Sequence, residues 1–149
     1  MEKKALLVIS FGTSYPETRK KTIEATENRL KEAFPDHDFY RAFTSRMIIN
    51  KLKTRDNESV DTPQEVLKKL KAAGYTHVQC QTTHIINGYE YDITLKELKA
   101  FEKDFVSLTL GRPLLTTVED YEETVDIVMK QMPKLKKGEA LVYMGHGSD

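Results

Sequence analysis

Short, continuous apolar runs alternate along this chain with longer stretches in which apolar positions recur every three or four residues. The first run, Ala5 to Ile9, has no alternation, as expected of a parallel strand covered on both faces. Phe11-Gly12-Thr13-Ser14 follows as a turn. Ser14 and Glu17 have capping-box spacing and Pro16 suits a first helical turn, which predicts a helix to about Phe34. Its stripe is Ile23, Leu30, Ala33 and Phe34, and Pro35 ends it. Phe39 to Phe43 reads as a second strand. Thr44 or Ser45 then caps a short helix through Leu52, and Arg55 to Asp61 is a polar loop.

Thr62-Pro63-Gln64-Glu65 is the clearest helix start: a cap, a proline at the first position and a glutamate three residues after the cap. Val66, Leu67, Leu70 and Ala73 form its buried face and Gly74 its stop. Tyr75 to Thr83 predicts a third strand with Val78, Cys80 and Thr82 on one face. A loop from His84 to Tyr91 follows, with a turn signal at Asn87-Gly88. A helix from about Asp92 carries Leu95, Leu98, Phe101 and Phe105. Leu108 to Leu115 predicts a fourth strand, interrupted by Gly111 and Pro113, and a helix runs from Thr117 to Pro133. Glu139 to Met144 reads as a fifth, buried strand ending in Gly145-His146-Gly147. The last segment repeats the first, because Ala5 to Thr13 aligns without a gap with Ala140 to Ser148, Phe11 facing His146.

Strands that alternate with helices predict an α/β fold: a three-layer open parallel sheet of four to five strands with helices on both faces, flavodoxin-like. The chain has 149 residues, enough for one domain with a real core. Its 23 basic and 23 acidic residues cancel, with no basic stripe, so nothing points to nucleic acid or an anionic membrane. Near-zero charge fits association with a partner or a missing part. The single cysteine, Cys80, excludes an internal disulfide and a Cys-pair metal site, and its place in a strand predicts a buried thiol. The apolar run after Lys3-Lys4 is too short for a signal peptide, and no run has transmembrane length, which together predict a cytoplasmic protein.

In such a sheet ligands bind beyond the carboxyl ends of the strands. Three segments converge there, Ser10 to Ser14, His84 to Tyr91 and Gly145 to Ser148, and Phe43 to Ser45 can join them. The turn with Phe11, Gly12, Thr13 and Ser14 precedes a helix N-terminus that can hold an anion, but it lacks a dinucleotide fingerprint or a P-loop lysine; the bland reading is a turn and a cap. Thr83, His84, Asn87, Tyr89, Glu90 and Tyr91 suit a flat polar ligand or a metal in transit. Equally, His84 can bond backbone and Glu90 can open the next helix. His146, between two glycines, can serve as base and divalent-metal ligand. His37 reads as surface and His77 as structural.

Taken together, Leu6 to Ser14, Arg41 to Ser45, His84 to Tyr91, Leu108 to Leu115 and Met144 to Gly147 resemble the anaerobic sirohydrochlorin cobaltochelatases, class II tetrapyrrole chelatases related to ferrochelatase. The resemblance covers essentially the whole chain. It implies two similar α/β domains facing each other across a cleft that holds the macrocycle. It implies insertion of Co²⁺ into sirohydrochlorin without ATP, a step toward cobalamin, with no permanently bound cofactor. The divalent metal is a substrate, with Ni²⁺ and Fe²⁺ as alternatives that the affinity order does not exclude. The family's metal-binding histidine matches His146 and its metal-handling glutamate matches Glu90. Ser10, Phe11, Gly12, Thr13 and Ser14, with His84, Ile86, Asn87 and Gly88, then line the macrocycle side.

Family members are roughly twice as long. The expectation is therefore an N-terminal chelatase domain over residues 1–135, with 136–149 as linker and first strand of a second, absent repeat. Such a chain alone has little or no activity. The competing reading is a half-size protein acting as a homo-oligomer, against which Phe11 stands where a second site histidine is needed. Two further functions stay open: a non-catalytic tetrapyrrole or metal binder on the same rim, and a flavodoxin-like nucleotide or response-regulator domain.

Overall fold

The computed structural model describes residues 2–145 and Gly147. It divides into two compact units, Met1–Thr116 and Thr117–Asp149. The first unit is built on four parallel strands, β1 Lys4–Ser10, β2 Asp38–Phe43, β3 His77–Thr82 and β4 Ser107–Leu110, in the order β2-β1-β3-β4. Helices α1 Pro16–Lys21, α2 Ile23–Ala33, α3 Arg46–Asp56, α4 Pro63–Ala72 and α5 Tyr89–Lys99 separate them. The predicted α/β architecture with an open, all-parallel sheet flanked by helices is thus present.

The continuous apolar run of β1 has its explanation in that order. β1 pairs with β2 on one side and β3 on the other, and Ala5 through Ile9 are wholly buried. Each large aliphatic side chain there contributes about 1.5–3 kcal/mol by leaving water. One sheet face carries Ala5, Leu7, Ile9, Val78 and Cys80 against Val66, Leu67 and Leu70 of α4 and Leu98 of α5. Burial pushes the Cys80 thiol up to about 12, an inert group as expected.

The other face holds a buried charge. Glu27 of α2 is 0% exposed, and Arg41 of β2, in register with Val8, grips it with Nε at 2.7 Å from Oε1 and a terminal nitrogen at 2.5 Å from Oε2. Arg41 also reaches Glu24 at 3.3 Å. Arg19 lies 3.4 Å from Glu24 and 2.8 Å from Glu58, so α1, α2, β2 and the loop after α3 share one ion network. Glu27 occupies the stripe Ile23-Glu27-Leu30-Phe34, whereas Ala33, expected there, is exposed.

Several boundaries differ from expectation. The helix predicted to run unbroken to Phe34 breaks at Thr22, whose hydroxyl bonds the Thr18 carbonyl at 2.7 Å and competes with the helical ladder. The Ser14–Glu17 capping box does not form. Tyr15 is the cap residue and makes no side-chain cap bond, while Ser14 is buried and its carbonyl accepts from Arg55 at 2.5 Å. The Thr62–Glu65 box does form, with Pro63 at the first turn. α5 begins at Tyr89 rather than Asp92, which places Glu90 in its first turn. β4 stops at Leu110, since Pro113 has no N–H to give; Leu115 then pairs again, as a single bridge with Ile86.

The second unit contains α6 Val118–Lys130, started by a capping box between Thr117 and Asp120. Residues 139–145, expected as a fifth buried strand, are in neither helix nor strand, and Val142, Tyr143 and Met144 are exposed. An apolar run becomes a strand only where a neighbour takes its N–H and C=O groups, and residues 139–145 have no strand pairing among the described residues. Among the described residues no helix is long and apolar enough to cross a membrane.

Candidate functional site

In the order β2-β1-β3-β4 the connections leave β1 in opposite directions, so the crevice between the carboxyl ends of β1 and β3 is where this topology opens a site. The strand ends are tied together there. Thr83 donates its backbone N–H to Ile9 at 2.9 Å and its hydroxyl to Ser10 Oγ at 2.9 Å. On the other side Thr44 N–H donates to the Ser10 carbonyl at 2.9 Å and Ser45 N–H to the Phe11 carbonyl at 3.2 Å. Ser45 also caps α3 by accepting from Ile48 N–H at 3.4 Å.

The turn after β1 requires its glycine. Gly12 has φ +99°, and a Cβ there would stand 2.6 Å from Cδ2 of Phe43. Thr13 Oγ1 accepts from Tyr15 N–H at 3.3 Å, so this hydroxyl shapes the turn. Ser10 and Ser14 are buried. Of the five residues predicted to line this side, Phe11 is the one whose side chain stands well out, at 46% exposure.

After β3, Asn87 donates to Thr116 Oγ1 at 3.2 Å, Gly88 is the cap residue of α5, and Ile86 is exposed. Glu90 accepts the Thr44 hydroxyl on Oε2 at 3.2 Å, which brings the carboxylate from α5 to the end of β2. His84 has its Nδ1 on the Thr82 hydroxyl, and its own backbone N–H donates to that oxygen at 3.2 Å. Its Nε2 is buried and bonds nothing in the described protein. Burial holds the imidazole below its ordinary pKa, with the Glu90 charge pulling the other way.

The sequence thus placed Ser10, Phe11, Gly12, His84, Ile86, Asn87, Gly88 and Glu90 at one edge of the sheet. His146 lies outside the described residues, so its predicted metal-binding and catalytic roles have no geometry here. Among the described residues no three of His, Cys, Asp and Glu cluster closely enough to hold a metal ion. His84 and Glu90 remain as the metal-competent side chains at this edge. His77 is at the opposite edge, and His37 is half-buried there against Phe34, ring centroids 5.3 Å apart, rather than on the surface as expected.

Sequence reasoning named Phe11, Ile86 and Tyr89 at this edge and missed Tyr15, Met47, Ile85 and Leu114. Phe11 and Tyr15 beyond β1, Met47 at the start of α3, and Ile85, Ile86 and Tyr89 beyond β3 are all exposed, as is Leu114 beyond β4. Among the described residues of the first unit, Val106 alone of the exposed large apolar side chains lies toward the other edge. Tyr15 is an aromatic residue inside a polar helix start, a signal that could have drawn notice. Exposed apolar groups gathered at one edge mark a binding surface.

The sequence model of one protein family, described as "Cobalt chelatase (CbiK)", matches residues 4–149. The chain is 49% identical over 146 residues to the sirohydrochlorin cobaltochelatase of Salmonella typhimurium, a match covering 98% of this chain and 55% of that protein. It is 32% identical over 151 residues to "Sirohydrochlorin cobaltochelatase CbiKC" of Nitratidesulfovibrio vulgaris, covering 99% of this chain and 53% of that protein. The chain spans about half the length of the curated relatives it matches.

Proposed function

The chain belongs to the cobalt chelatase (CbiK) family, and from that premise we propose that it supplies one α/β lobe of a sirohydrochlorin cobaltochelatase. The observation that carries the reading is the carboxyl edge itself, an apolar and aromatic surface beside the Glu90 carboxylate and the His84 imidazole. A flat tetrapyrrole needs aromatic and aliphatic contact over its faces and a carboxylate or imidazole near its centre, and this edge offers both. Phe11, Tyr89 and Ile86 would support the ring. The hydroxyls and backbone N–H groups around Thr13 would meet its acidic side chains.

Insertion replaces two pyrrolic N–H protons by Co²⁺, so a base must lie beside the metal path. In this reading His146 coordinates the incoming ion and takes a pyrrole proton, Glu90 escorts the cation, and the metal is substrate rather than resident cofactor. Imidazole with carboxylate suits Co²⁺, and equally Ni²⁺ or Fe²⁺. Residues 1–135 form the lobe, and 136–149 lead to a second repeat or to the partner copy that completes the site.

The test is an absorbance titration of sirohydrochlorin into the chain, with and without Co²⁺. Binding that weakens at least about tenfold in a Phe11→Ser/Tyr89→Ser variant of unchanged thermal stability supports the reading, since each aromatic loses one to a few kcal/mol of contact. Stoichiometric binding without metal insertion, with a second repeat joined to the chain, would make it a carrier. No binding of sirohydrochlorin in either form would end the proposal.

A further inference from the structure

At the carboxyl edge two polar groups are each left half-used. The Nε2 of His84 is buried without a partner. Glu90 is a carboxylate with room for several hydrogen bonds, and among the described residues its side chain accepts the Thr44 hydroxyl on Oε2.

The hydrogens decide what the His84 nitrogen can do. Thr82 Oγ accepts the His84 backbone N–H at 3.2 Å and meets His84 Nδ1. If the Thr82 hydroxyl donates to Nδ1, every hydrogen around this buried oxygen has an acceptor. If instead Nδ1–H donated to Thr82, two buried groups would lack partners, the hydroxyl hydrogen in a residue only 4% exposed and the Nε2 lone pair, whereas the first arrangement leaves only Nε2–H unpaired; the extra orphan costs about 1–3 kcal/mol. The first arrangement wins, and it puts the ring hydrogen on Nε2. His84 therefore carries a buried N–H donor rather than a free lone pair. Burial keeps the ring neutral, and Glu90 is the charged group whose field acts on it.

We infer that His84 is a positioning residue for Glu90: Thr82 fixes the neutral tautomer, and the His84 Nε2–H donates to the Glu90 carboxylate once that side chain turns from Thr44 toward β3. The carboxylate is then held between the ends of β2 and β3. A ligand carboxylate near a divalent cation is characteristically oriented by such a second donor. This also assigns Thr82 a part in the site, through His84. The effect on metal rests on the function proposed above; the pairing itself does not.

The experiment uses the 149-residue chain labelled with ¹⁵N-histidine and long-range ¹H–¹⁵N spectra recorded without metal, with His84 identified by its loss in His84→Gln. The expected spectrum is a neutral ring protonated on Nε2. Its Nε2–H resonance moves in Glu90→Ala, Thr82→Val gives a tautomer mixture, and Thr82→Ser restores one form. A ring protonated on Nδ1, or a resonance indifferent to Glu90→Ala, overturns the inference.

Co²⁺ affinity, measured by competition with a chromophoric chelator, then reads the consequence. His84→Phe weakens binding about tenfold, while His84→Gln, which keeps an N–H at similar reach, stays near wild type. In Glu90→Ala, a further His84→Phe adds nothing. A glutamine variant as weak as phenylalanine would make the ring a ligand or base. Additive losses would move the acceptor to a carboxylate other than Glu90. Either result overturns the assignment. A chain that binds no Co²⁺ yet shows the paired resonance leaves the pairing standing, and the proposed function then falls only if sirohydrochlorin does not bind either.

Discussion

At the amino ends of the strands, Lys4 meets Asp36 at 2.9 Å, His37 meets the same carboxylate at 2.7 Å, and Lys71 meets Asp104 at 2.6 Å. Tyr75 donates its hydroxyl to Asp38 at 2.6 Å and lies 2.9 Å from the hydroxyl of Tyr40. At the carboxyl ends of the same strands, aromatic and aliphatic side chains face outward and the His84 Nε2 is buried unbonded. Folding alone would erase that asymmetry, because an unmatched buried donor costs about 1–3 kcal/mol while matched surface pairs return up to about 1. A chain keeps unmatched groups where something other than itself supplies the match. The contrast between a closed edge and an open one therefore marks the carboxyl edge as the candidate site without reference to any relative.

The largest effect comes from unmatching a buried group on the sheet face that lies between the two edges. Arg41→Met leaves the Glu27 carboxylate, 0% exposed, without the guanidinium that grips both its oxygens. Urea unfolding is expected to show a loss of about 3–5 kcal/mol, with most of it regained in Arg41→Met/Glu27→Leu, where neither charge remains. Ligand binding by the folded fraction stays unchanged. A loss under about 1 kcal/mol would mean that the network is solvated and that an unmatched group costs this fold little.

Two left-handed glycines sharpen the contrast between the edges next. Gly12 (φ +99°) lies at the open edge with Phe43 2.6 Å from an added Cβ, whereas Gly74 (φ +76°), between α4 and β3 at the closed edge, has nothing within 4 Å. Gly74→Ala adds only the backbone penalty, about 1 kcal/mol. Gly12→Ala adds that and a clash, about 3 kcal/mol in all, and it shifts the turn that carries Phe11. Thermal melts of both variants, with sirohydrochlorin titration of each, check the ranking. Equal losses would show that Phe43 yields and that the turn is not held against it.

The legible parts of this molecule are those where one residue type answers one demand. Ala5 to Ile9 had to be a central strand, Thr62-Pro63-Gln64-Glu65 had to start a helix, and Cys80 had to be buried, because each satisfies its requirement locally. Strand alternation alone put Phe11, Gly12, His84 and Glu90 on one edge. What could not be read depends on distant partners. Glu27 sits in an apolar stripe and is tolerable only because Arg41, fourteen residues on, reaches it. Thr82 read as a strand residue until His84 folded back on its hydroxyl. Thr22 broke a helix through a bond that any threonine can make. Residues 139–145 have a strand's composition without a strand's neighbours.

The smallest effect concerns acid, and it tests whether the closed edge is closed by charge. The Lys4 hydrogen bond first, and then that of His37, hold the Asp36 carboxyl at about 2 against an ordinary 3.8. The folded value is the lower one, so the unfolded chain binds the extra proton. The stabilisation is complete above about 4 and is lost as pH falls through 3.8 toward 2. Asp36→Asn should therefore lower stability slightly at neutral pH and flatten the decline between those values, with no change in ligand binding. Because Asp36 is exposed, added salt should shrink the difference. If the acid limb of the variant coincides with that of the parent at low salt, the Lys4–Asp36–His37 cluster contributes nothing. The closed edge would then rest on Tyr75, Asp38 and Tyr40, whose bonds do not depend on a surface ion pair.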